Sequence, residues 1–155
     1  MSTRSLIGIL KDNDVEFIYC HNDGYIKGVG VTLQAHYDTK EKVESLISLG
    51  DLSALGPEPI SKPEYWKWPK CLESDLTVAY KDRKGEDWED IKPKFIHRDN
   101  YNMNYLDYCQ EYMYLFDPDN KIYKWLFWDG ASFSPLWLAI PYNTKQQILK
   151  NKENI

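Results

Sequence analysis

Three histidines (His21, His36, His97) and three cysteines (Cys20, Cys71, Cys109) are the scarce reactive side chains of this sequence. The densest polar group is His21-Asn22-Asp23-Gly24-Tyr25, followed by Gly28 and Gly30. A histidine and a carboxylate two residues apart are the minimum for acid–base work. Glycines ahead of a helix let backbone N–H groups approach an anion. Arg4, just before the first apolar run, can reach the same corner. There it either pairs with Asp23 or helps line a pocket for a small anionic ligand. Arg4, His21, Asp23, Gly24, Tyr25, Gly28 and Gly30 are therefore the ligand-binding candidates. Gly28-Val29-Gly30 is not followed by Gly-Lys-Ser/Thr and is no phosphate loop. Cys20 and His21 are adjacent in a strand, face opposite ways and do not form a nucleophile–base pair. There is no CxxC pair and no third ligand at metal spacing, so no metal, cofactor or catalytic residue is assigned.

A second candidate group is aromatic and acidic. Twelve tyrosines and six tryptophans are an unusual share, and such side chains serve either as core or as partner anchors. Pro57, Pro59, Pro63 and Pro69 make residues 57–69 an extended connection that carries Tyr65, Trp66 and Trp68. Alternation in an extended chain places Trp66 and Trp68 on one face and Tyr65 on the other. The tryptophan face is expected inward and Tyr65 outward. Glu86-Asp87-Trp88-Glu89-Asp90 lies in an acidic loop, 81–94, suited to a basic protein. Tyr65, Glu86, Asp87, Trp88, Glu89 and Asp90 are the partner-binding candidates.

The elements that must hold these groups follow from periodicity. Leu6 to Leu10 is apolar on both faces, and Val15, Phe17 and Tyr19 alternate, so residues 5–20 form a hairpin about Asp12-Asn13. Gly24 supplies a positive φ at the corner. A helix starts near Gly28 with Val29, Leu33 and Tyr37 inward. Asp38, with Glu41, caps a second helix whose stripe is Val43, Leu46 and Ile47, and Gly50 ends it. Residues 51–55 are a further turn, 76–80 and 95–97 short strands, and 101–110 a short helix. Strands 111–116 and 122–128 flank Asp117-Pro118-Asp119-Asn120. A strand over 135–140 precedes a C-terminal helix from Asn143 or Thr144, with 151–155 a frayed tail. The sum is α+β, an antiparallel sheet with helices packed on one face, in a single globular domain over 1–155.

The formal net charge of −5 disfavours a general nucleic-acid binder. No apolar run has membrane-spanning length, the start lacks a signal peptide's hydrophobic region, and scattered cysteines fit a reducing cytoplasm.

Ser2-Thr3-Arg4-Ser5-Leu6-Ile7-Gly8, Tyr19-Cys20-His21, Asp23-Gly24-Tyr25, Val29-Gly30, Leu33, His36-Tyr37 and Leu49-Gly50-Asp51-Leu52-Ser53 carry a resemblance. Together they are similar to a family of small uncharacterised proteins of bacteriophages, prophages and some bacterial genomes. Thr77-Val78-Ala79-Tyr80, Asp82-Arg83 and Gly85-Glu86 resemble a later family segment. Asn22 stands where the family has an aromatic residue, and Ile26 where it has proline. The resemblance implies a phage-type setting and no particular chemistry. The expectation is a non-catalytic binding protein that inhibits a host protein, such as a defence component. The alternatives are a binder of a nucleotide-like small molecule at the His21–Gly30 corner, and a small hydrolase or nuclease acting through His21 and Asp23.

Overall fold

The computed structural model describes residues 2–153. β1 (Ser5–Lys11) and β2 (Asp14–Cys20) form the expected hairpin, with Ser5 opposite Cys20 and Lys11 opposite Asp14. Asp12 supplies the positive φ (56°) of its turn. β3 (Leu52–Ala54), β4 (Val78–Ala79), β5 (Lys94–His97), β6 (Tyr112–Phe116), β7 (Trp125–Trp128) and β8 (Phe133–Pro135) complete one eight-stranded sheet. Its order is β4-β3-β2-β1-β6-β7-β8, with β5 beside the first half of β2. The fold is α+β. The sheet is mixed rather than wholly antiparallel, because β1 runs parallel to β6 and β2 parallel to β3.

β1 is buried on both faces and divides two cores. Ile7 and Ile9 join Ile18, Tyr114 and Phe116 beneath the helices. The helices are α1 (Val31–His36), α2 (Lys40–Ile47), α3 (Trp88–Ile91), α4 (Leu136–Ala139) and α5 (Tyr142–Glu153). All but α3 contribute to this core, through Leu33, Val43, Leu46, Ile47, Leu136 and Ile148 among others. On the other face Leu6, Val15, Phe17, Met113 and Leu115 lie under residues 98–110.

That covering stretch is not the expected helix. Asn102 Oδ1 accepts from the amides of Asn104 and Tyr105, each at 2.9 Å, and takes donors a helix would use otherwise. The stretch is pinned by the Tyr101 hydroxyl, which donates to Tyr114 O at 2.8 Å. Gly8 makes room for this ring: a Cβ there would lie 3.0 Å from it and 2.6 Å from Val15 Cγ1.

Other boundaries move for local reasons. Thr39, not Asp38, caps α2, its hydroxyl accepting from Lys42 N at 3.2 Å. Gly50 ends the turn after α2 at φ +78°. Residues 52–54 are a strand, not a turn, because Leu52 pairs with Cys20 and extends the sheet. Residues 133–135 form a strand, but Pro135 ends it and the chain coils into α4 instead of running extended to 140. The acidic stretch 81–94 is not all loop: Asp87 accepts from Glu89 N and starts α3. Of the tail expected to fray, residues 151–153 continue α5, and 154–155 lie outside the described residues.

Candidate functional site

The corner after β2 is built by exchange between three segments. His21 N and Asn22 N donate to Leu52 O and Ser53 O of β3 at 2.9 and 3.0 Å. Gly24 N donates to Thr3 O at 2.8 Å, which ties in the chain ahead of β1. The positive φ belongs to Asp23 (58°), not to Gly24. Gly24 is needed for proximity, since a Cβ would sit 2.8 Å from Ser5 Cβ and 2.9 Å from Thr3 O. The Tyr114 hydroxyl donates to Gly24 O at 2.6 Å and fixes the corner from below.

The expected anion cradle is largely consumed by this folding. The chain enters a π-helical turn at Ile26–Gly30 before α1. Gly28 N and Gly30 N donate to Tyr25 O at 3.0 and 3.4 Å, and Val29 N donates to Asp23 O at 2.8 Å. Arg4 does not pair with Asp23. Among the described residues the Asp23 carboxylate meets only the Tyr25 hydroxyl, at 3.3 Å. The Arg4 guanidinium acts instead on Tyr19, whose hydroxyl is 2.7 Å from His21 Nδ1. Burial pushes the Tyr19 phenol up and Arg4 partly offsets it. His21 and Asp23, the acid–base candidates, thus face different partners. Cys20 is buried against the helices and burial raises its thiol to about 12, so it stays protonated and inert.

The Pro-rich segment is ordered but not extended. It makes tight turns at Pro63–Trp66 and Lys70–Leu72. Coiling abolishes the alternation that would have put both tryptophans inward. Trp66 is half-buried, and its indole N–H donates to Ala79 O of β4 at 2.9 Å. Its ring lies 5.4 Å from Tyr80 and 5.2 Å from the Arg83 guanidinium. Thr77 Oγ1 donates to Glu58 O at 2.6 Å, and Ala79 N donates to Ser61 Oγ at 2.8 Å. Trp68 is 78% exposed and Leu72 73% exposed, contrary to the inward assignment of Trp68. Tyr65, expected outward, is half-buried under the Lys70 ammonium, 5.8 Å from its ring centre.

The corner and the Pro-rich segment meet. Asn22, Asp23 and Ser53 on one side, and Tyr65, Trp66 and Glu73 on the other, line a cleft of about 340 Å³. Asp23 and Tyr65, proposed separately from the sequence as ligand and partner residues, therefore share one site. Arg4, His21, Tyr25, Gly28 and Gly30 do not line it. On the other side of Trp66 a second cleft is lined by Lys67, Lys81, Asp82, Arg83 and Lys84.

The acidic run is elsewhere, and most of its charge is used locally. Glu86 pairs with Arg83, Asp87 caps α3, and Glu89 meets Lys92 at 2.6 Å. Trp88 lies over Gly50 and is 43% exposed. Next to it sits the residue that sequence reading missed. Asp51 Oδ1 accepts from Tyr19 N at 2.9 Å, its own N donates to Ile91 O, and its O accepts from Tyr80 N. Burial raises its carboxyl to about 6, against the Tyr19 N–H and the Lys94 charge. The available signal was an acid placed between the helix-ending Gly50 and the apolar Leu52.

Among the described residues no three His, Cys, Asp or Glu side chains gather as a metal set, and no helix is long and apolar enough to cross a membrane. No protein-family model, curated protein or solved structure matches the chain.

Proposed function

We propose that this protein acts by non-catalytic binding of another protein, as a phage- or prophage-type accessory protein that inhibits a host protein in the host cytoplasm. The observation that carries the reading is Trp68. A tryptophan 78% exposed is unusual, and Trp is the residue type most enriched among interface anchors. Leu72, within a turn of it, is 73% exposed. Both project from a segment fastened to β4 by Trp66 and Ser61, and to Thr77 just ahead of β4 through Glu58 O. A fixed base lowers the ordering cost of binding. The resemblance to phage proteins supplies the setting, with a defence component a natural target.

The test is capture from bacterial lysates on immobilised wild-type protein and on Trp68→Ala. One stoichiometric host protein is expected with the wild type. Its affinity should fall by about 2 kcal/mol or more with the variant, whose melting point stays unchanged. Recovery of no stoichiometric host protein from several hosts sinks the reading. The nucleotide-signal alternative has less support, because the Gly28, Val29 and Gly30 amides already have acceptors. A melting-point rise with a nucleotide would restore it.

A further inference from the structure

We infer that the cleft between the corner and the Pro-rich segment receives a basic side chain, a guanidinium or ammonium, from the partner that Trp68 and Leu72 engage. The inference rests on the protein-binding reading and names the chemistry of the partner. Asp23 stands in the cleft wall, exposed, with no cationic partner among the described residues. Glu73, in the opposite wall, is answered only by the half-exposed Lys70, at 3.1 Å. The remaining walls include Tyr65 and Trp66, and ring faces attract cations. Both rings already do so within the chain: Lys70 lies 5.8 Å from the Tyr65 centre and Arg83 5.2 Å from the Trp66 centre. Ser53 and Ser74 add hydroxyl acceptors. Carboxylates, hydroxyls and aromatic faces in one concavity match a donor-rich cation and repel a phosphate.

The neighbouring cleft sharpens the assignment. Lys67, Lys81, Arg83 and Lys84 line it across Trp66, with Asp82 the sole acid among its lining residues. A basic side chain is rejected there and accepted on the Asp23 side, so the pair of clefts fixes which way round the partner sits. The overall charge of −5 favours encounter with a basic surface.

The probe is N-acetylarginine amide, titrated into the ¹⁵N-labelled full chain, with N-acetylnorleucine amide as the uncharged control. Saturable shifts are expected at the Trp66 indole N–H and at the amides of Ser53, Ala54 and Cys71. The Asp23→Asn, Glu73→Gln double variant should weaken them by about fivefold or more. Both side chains are exposed, and asparagine tolerates the Asp23 backbone, so this variant should fold. Absence of shifts, equal shifts with the norleucine probe, or unchanged affinity in the double variant overturns the inference. Partner capture then separates the two claims. A positive titration with no captured protein removes the host-protein reading and keeps the cation site. Equal capture by wild type and double variant removes the cleft from the interface and keeps the reading.

Discussion

Asp51 is the side chain whose protonation the fold feels most directly. Its carboxyl is raised from the ordinary 3.8 to about 6 by burial at a junction of β2, β4 and α3. The folded protein therefore holds this proton more tightly than the unfolded chain does. Its contribution to stability is full below about pH 4 and is lost as pH rises through about 6. Asp51→Asn keeps an oxygen for the Tyr19 N–H and removes the buried charge. At pH 7 the variant should be more stable by on the order of 1–2 kcal/mol, a figure discounted for partial exposure. Urea melts at pH 4, 5, 6 and 7 should show the gain growing with pH. A gain independent of pH would show that the carboxyl does not titrate in this window. The two tryptophans of the Pro-rich segment make the complementary pair. Trp66→Ala removes the bond to Ala79 O and the packing on Tyr80 and Arg83, and should cost about 1–3 kcal/mol. Trp68→Ala should leave the melting midpoint in place. Midpoints that fall equally would contradict the division between base and anchor.

At the scale of elements, the sequence was legible wherever a pattern was local and long. β1 runs apolar from Leu6 to Leu10, β2 alternates through Val15, Phe17 and Tyr19, and α2 shows its stripe and its terminal glycine. It was illegible where side chains compete for the backbone. Asn102 diverts 101–110 from helix, Pro135 ends β8, and coiling at Pro63–Trp66 overrides the alternation that assigned Trp68 inward. The candidate site suffered more. Asp23 was singled out, but its meeting with Tyr65 depends on how the chain between β3 and β4 folds back over the sheet edge, which no local pattern encodes. Gly8 shows how much the element covering the second face depends on a single missing methyl. Gly8→Ala should drive against Val15 and the Tyr101 ring and cost about 1–3 kcal/mol. Denaturant unfolding gives the figure. Loss of protection at amides 98–110 in hydrogen exchange would locate the damage, whereas a variant as stable and protected as wild type would refute the contact.

The whole molecule is held by pairings distant in sequence, above all β1 with β6. A fragment ending at residue 110 keeps the hairpin but lacks β6 to β8, which cover the other side of β1. It should give collapsed amide spectra without dispersed tertiary signals, and a dispersed spectrum would show that the hairpin and α2 suffice. The same topology has a consequence for biosynthesis. β1 leaves the ribosome well before β6, carrying Leu6 on one face and Ile7 and Ile9 on the other, all fully buried in the finished protein. Its second neighbour, β6, is made last but two of the eight strands. At roughly 5–20 residues per second, the nascent strand waits on the order of 10 s for that neighbour. During this interval its open edge and apolar faces are a substrate for chaperones, so the yield of folded protein should depend on translation speed and chaperone supply more than its finished stability suggests.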